Sequence, residues 1–158
     1  MVQVRLALAV SFADPARAGD ELALAHQLLN GLGQRSNTLL AQVVTLIKDA
    51  GTDSVTDRAQ DLRTDIEAAG LPFLHRFVEL ALAFHHAVRG EDQDLAATIV
   101  RELTATGDFA YFTDIAHFMA ALPLPESSTT RWTKSDDDVR SAWQGMVHAR
   151  REHLLTGN

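Results

Sequence analysis

His75, Glu79 and His86 are the residues of this chain whose types and spacing best suit metal chemistry. They fall at i, i+4 and i+11 in a stretch with helical periodicity, which places all three on one helical face. Two imidazoles and a carboxylate would suit zinc, iron or copper. His85 and His117 are further imidazoles that a helical stack could bring together. Against a site, the paired Glu-x-x-His signature of di-iron bundles is missing, and no second helix repeats a metal-spaced pair. The competing reading makes His75 and Glu79 a solvated pair and sets His85 and His86 at the edge of a packed layer. That reading weighs more, so no metal or other cofactor is expected.

Other chemistries find less support. The sequence has no cysteine, which removes disulfides, thiolate zinc sites and a cysteine nucleophile. Glu91, Asp92 and Asp94 follow Gly90, and Asp136, Asp137 and Asp138 open another segment. Neither group has the spaced oxygens, internal glycine or final glutamate of a calcium loop, and acidic residues at helix starts complement the dipole. Ser127, Ser128, Thr129 and Thr130 have no associated base. Gly31 and Gly33 lack the remainder of a phosphate-binding loop. No catalytic residues are expected, and the chain reads as non-enzymatic.

Charge narrows the partners. The formal charge of −7 and pI near 5.4 argue against general phosphate binding. A basic and aromatic strip does occur at Arg131, Trp132, Lys134, Arg140, Trp143, Arg150 and Arg151. Asp136 to Asp138 interrupt it, and the two tryptophans read better as anchors of a terminal helix. Nucleic acid is therefore not the expected partner. No apolar run approaches the roughly 20 residues that span a bilayer, and a membrane role is not expected. The short apolar run from Leu6 to Phe12 reads as a structural first element in preference to a cleaved signal.

Holding these residues requires helices. Residues 2–12 alternate like a strand but suit a helix as well, and helix is preferred because a lone strand would leave its backbone groups unpaired. Asp14 is placed to cap a helix over about 15–31, with Pro15 at its first position. Helices follow at about 37–50, 54–69 and 73–89, then one between Gly90 and Gly107 carrying Leu95, Ala96, Ile99, Val100 and Leu103, and one at 109–121, with Gly51 and Gly70 closing the first two. Those at 37–50, 73–89 and 109–121 are apolar over a broad arc, while the one at 54–69 and the one between Gly90 and Gly107 carry narrow stripes. A broad arc must be covered on several sides and a narrow stripe on one. Layered helix pairs produce that alternation, and a plain up-down bundle does not.

The pattern repeats at an offset of about 37 residues, the range of two-helix solenoid repeats. Ala96, Ile99, Leu103 and Gly107 align with Ala59, Leu62, Ile66 and Gly70, and these with Leu22, Ala25, Leu29 and Gly33. Residues 123–135 read as a linker or wrapping loop. A last helix from about 136 to 154 carries Val139, Trp143, Met146 and Val147 as its stripe. Arg150, Arg151 and His153 stand at its negative end. It is expected to cap the open end of the stack.

The segment from Glu79 to Asp108 resembles a tetratricopeptide repeat (TPR) of the degenerate kind found in bacterial signalling and transcription regulators. Leu82-Ala83 matches the family's leucine and small residue, His86 stands at an aromatic position, and Gly90 matches the turn glycine. Ala96, Val100 and Leu103 match the second-helix core once one inserted residue is allowed. Glu79 and Asp108 depart from the family's Trp and Pro. The resemblance implies an all-α fold, a right-handed α-α superhelix (TPR-like solenoid) of about three helix pairs plus a C-terminal capping helix. One domain is expected: repeats over 1–122, the loop at 123–135 and the capping helix at 136–158. The implied role is regulatory or scaffolding, a cytoplasmic module binding a protein or peptide partner, with a homodimer left open and a place within a larger regulator in keeping with it. The alternative is a helical sensor domain binding a metal or small ligand near His75, Glu79 and His86.

Overall fold

Apolar residues spaced three and four apart, closed by glycines that accept left-handed backbone, dictate helices joined by tight turns. A computed structural model describes residues 12–14, 17, 19, 20, 23, 35–90, 93–105, 110–124 and 136–157. Six α-helices lie among them: α1 (Arg35–Lys48), α2 (Val55–Ala69), α3 (His75–Arg89), α4 (Gln93–Ala105), α5 (Ala110–Met119) and α6 (Asp136–Leu155). A 3-10 turn, Pro72–Leu74, leads into α3. The described residues contain no strand, so the all-α expectation holds for them. Most of the segments expected at 2–12 and in the loop at 123–135 lie outside the described residues. Of the helix expected at 15–31, Arg17, Gly19, Asp20 and Ala23 are helical, and Asp14 Oδ1 accepts the Arg17 N–H at 3.0 Å, as a capping residue does.

Turn chemistry sets the ends. Gly70 has φ 68°, its N–H reaches Glu67 O, and the Leu71 N–H reaches Ile66 O. That pair of bonds is the Schellman closure, in which the left-handed residue is normally glycine. The same bonding ends α5, where Ala121 donates to Phe118 O and Leu122 to His117 O. There the left-handed residue is Ala121, at φ 57°.

Every helix packs on its successor, and α3 also touches α1, α5 and α6. Helices α2 and α4 do not touch each other. The inner row is therefore α1, α3 and α5, with α2 and α4 outside it. Burial follows the arcs expected from sequence. Helix α3 buries Val78, Leu80, Ala81, Leu82, Ala83, Phe84, His85, Ala87 and Val88, almost its whole circumference. Helix α2 buries only Val55, Ala59, Leu62 and Ile66, a single stripe. Phe84 and Phe118 are the largest fully buried side chains, and each such burial stabilises by about 1.5–3 kcal/mol. Phe12 packs edge-on against both Phe84 and Trp143, tying the early chain to α3 and α6.

Candidate functional site

The three residues singled out by spacing do not meet. His75 Nε2 lies 2.5 Å from Glu67 Oε1 on α2. Glu79 is paired with Arg63 of α2, and its second oxygen, Oε2, is buried without a hydrogen-bond partner among the described residues. His86 sits eleven residues beyond His75, roughly 16 Å along the axis at 1.5 Å per residue. No group of three metal-ligating side chains gathers among the described residues. The expected His75–Glu79 pair is replaced by two bridges to α2, because the i, i+4 face of α3 is covered by that helix. The edge position expected for His85 also changes. Its side chain is 2 % exposed, and Nδ1 accepts the Gly51 N–H at 2.9 Å. Burial, aided by the neighbouring His86 and Arg89, lowers its pKa from 6.5 to about 4. It is a neutral structural acceptor.

The densest polar geometry belongs to α6, which crosses the carboxy ends of all three inner helices. Four carbonyls at an α-helix end have no partner within the helix, and two arginines and a glutamine of α6 answer them, with a third arginine just beyond α5. Arg150 Nη1 donates to Ile47 O at 2.7 Å and to Lys48 O at 3.1 Å, closing α1. Arg151 donates through Nε to Val88 O at 2.9 Å and through Nη2 to Ala87 O at 2.7 Å, closing α3. Arg140 Nη1 donates to Leu122 O at 2.8 Å beyond α5, and Gln144 Nε2 reaches Phe118 O at 3.4 Å. Arg140 also lies over the Phe118 ring and Arg150 over the Phe84 ring, a favourable contact for a guanidinium. Burial pulls the Arg150 pKa below its usual value, while the Asp49 carboxylate works the other way. Arg150 and Arg151 thus complement the carboxy ends of other helices, not the end of their own as periodicity suggested. Periodicity reports neighbours on one helix and carries no signal for a bond spanning 103 residues.

Two recesses flank α6. The wider, about 820 Å³, is walled by Phe12, Ala13, Asp14, Lys48 and Asp49 and floored by Ala142, Gly145, Met146 and Ala149, with His153 at one end. Among the described residues, no atom lies within 4 Å of where a Cβ on Gly145 would stand. The narrower, about 190 Å³, lies between α6 and the ends of α3 and α5, with His86, Gly90, Gln144, His148 and Arg151 around a floor of small apolar residues. A third depression of about 250 Å³ between α1 and α2 has Gln42, Thr45, Arg58, Asp61 and Asp65 on its walls. No helix of the described residues is long and apolar enough to cross a membrane. Comparison with models of known protein families, with curated proteins and with solved structures finds no match.

Proposed function

We propose that this protein is a non-enzymatic helical-repeat module of tetratricopeptide type, a right-handed superhelix that binds a peptide segment of a partner protein in the wider groove beside α6. A regulatory or scaffolding role in the cytoplasm, within a larger regulator or as a homodimer, agrees with that reading. The observation that carries it is Gly145. A glycine inside a helix costs about 1 kcal/mol relative to alanine, and this one stands midway along a 20-residue helix. Nothing among the described residues packs where its Cβ would be. Beside it Ala142 and Ala149 keep the floor low, and Met146 offers an adaptable apolar contact. Such a floor lets a second backbone approach closely. The groove volume lies within the range of roughly 300–1,000 Å³ that ligand sites occupy.

Gly145→Arg tests this. Arginine is a good helix former, so the variant should keep or raise the unfolding temperature while filling the groove. Peptides selected against the wild-type protein should lose at least about tenfold in affinity, or about 1.4 kcal/mol, when titrated against Gly145→Arg by fluorescence anisotropy. Equal binding to both proteins would sink the proposal.

A further inference from the structure

The narrower recess on the other side of α6 has a different chemistry, and the inference from it stands independently of peptide binding. We propose that this cleft binds a small carboxylate carrying a short hydrocarbon tail, with the Arg151 guanidinium as its fixed counter-charge.

Charge is the first argument. The chain as a whole carries a formal −7, yet the polar side chains described around this cleft are those of His86, Gln144, His148 and Arg151, with no carboxylate among them. Glu91 and Asp92, next in sequence to Gly90, lie outside the described residues. The carboxy ends of α3 and α5 each contribute roughly half a negative charge, and the full positive charge of Arg151 offsets the two together.

Preorganisation is the second. The Val88 and Ala87 carbonyls take two of the five guanidinium donors and fix its plane. A Cβ on Gly90 would come to 3.1 Å from Arg151 Nη2, so the glycine leaves the space in which the guanidinium lies. A donor already held in place loses little freedom when a ligand arrives, and a planar fork suits a carboxylate.

Size and wall chemistry select the ligand. At about 190 Å³ the cleft has the volume of about six waters in the liquid, enough for an acid of about that many non-hydrogen atoms. Ala87, Ala96, Met119, Ala120 and Val147 supply an apolar floor for the tail. Ala121, on the same wall, holds left-handed backbone at φ 57°, which costs a non-glycine residue about 1–2 kcal/mol. Strain of this kind collects at ligand sites.

The test is an amide-resolved NMR titration of the full chain with sodium butyrate, butyramide and inorganic phosphate. Butyrate should give saturable shifts in the millimolar range at Gly90, Ala120, Ala121 and the second half of α6. It should bind at least about tenfold more tightly than either control, a difference of about 1.4 kcal/mol. Arg151→Gln should abolish saturation. Because that change also removes two caps, His148→Ala is read beside it; His148 is exposed, with Glu152 Oε1 at 3.9 Å from its Nε2. That variant should weaken butyrate several-fold at an unchanged unfolding temperature. Absence of saturable shifts, equal binding of butyramide or of phosphate, or wild-type affinity in either variant would each overturn the proposal.

Discussion

Protonating His85 would set a ring N–H against the Gly51 N–H, two donors facing each other inside the stack. The fold therefore keeps this imidazole neutral, with its pKa lowered from 6.5 to about 4, mainly by burial. Between those values the unfolded chain binds more protons than the folded one, so stability falls as pH drops from about 6.5 to about 4 and levels off below. The loss attributable to this group approaches about 3 kcal/mol. Urea unfolding across that pH range should show the slope in the wild type and lose most of it in His85→Asn, which can keep an acceptor near the Nδ1 position. An identical slope in both proteins would remove His85 as its source. Asp53 acts in the same direction, because its hydrogen bond to Arg89 and that residue's charge hold its pKa below the usual carboxylate value. Gly51 itself has no freedom to change. It stands at φ 94°, and a Cβ there would fall 2.2 Å from Leu154 Cδ1.

At the scale of elements, α6 is held as much by hydrogen bonds to other helices as by apolar burial. Among its described side chains Val147 and Arg150 are buried, with Trp143 and Met146 partly covered. Arg150→Met keeps much of the side-chain volume and abolishes the desolvation cost, but it leaves the Ile47 and Lys48 carbonyls without their donor. Unmatched buried acceptors cost about 1–3 kcal/mol, and urea unfolding should register a loss of that order. A gain in stability would mean that the ion's burial outweighed its bonds. The apolar stripe of this helix was legible in the sequence because residues three and four apart must share a face. Arg150 and Arg151 carried no such mark. Their partners are main-chain oxygens, which every residue possesses and no sequence pattern distinguishes.

For the whole molecule, the alternation of broad and narrow arcs translated into an inner row and outer helices, since a helix's apolar circumference states how many neighbours it needs. Hydrogen exchange should rank accordingly, with the central amides of α3 slowest and the solvent side of α2 faster. Uniform protection across both would contradict the layering. The glycine stops at Gly51, Gly70 and Gly90 were equally legible, whereas Ala121 was not, because nothing about an alanine announces left-handed backbone. Candidate chemistry was the least legible. His75, Glu79 and His86 shared a face of one helix, but packing by α2 had already engaged the first two with Glu67 and Arg63. The recesses beside α6 arise only when residues from distant parts of the chain converge.

The placement of the arginine caps bears on how the chain matures during synthesis. The Ile47 carbonyl and its Arg150 donor are separated by 103 residues, which a ribosome adds in on the order of 5–20 s. Over that interval α1 and α3 can pack while their carboxy ends still depend on water. A premature stop just before Arg150 would leave both ends open for the lifetime of the product.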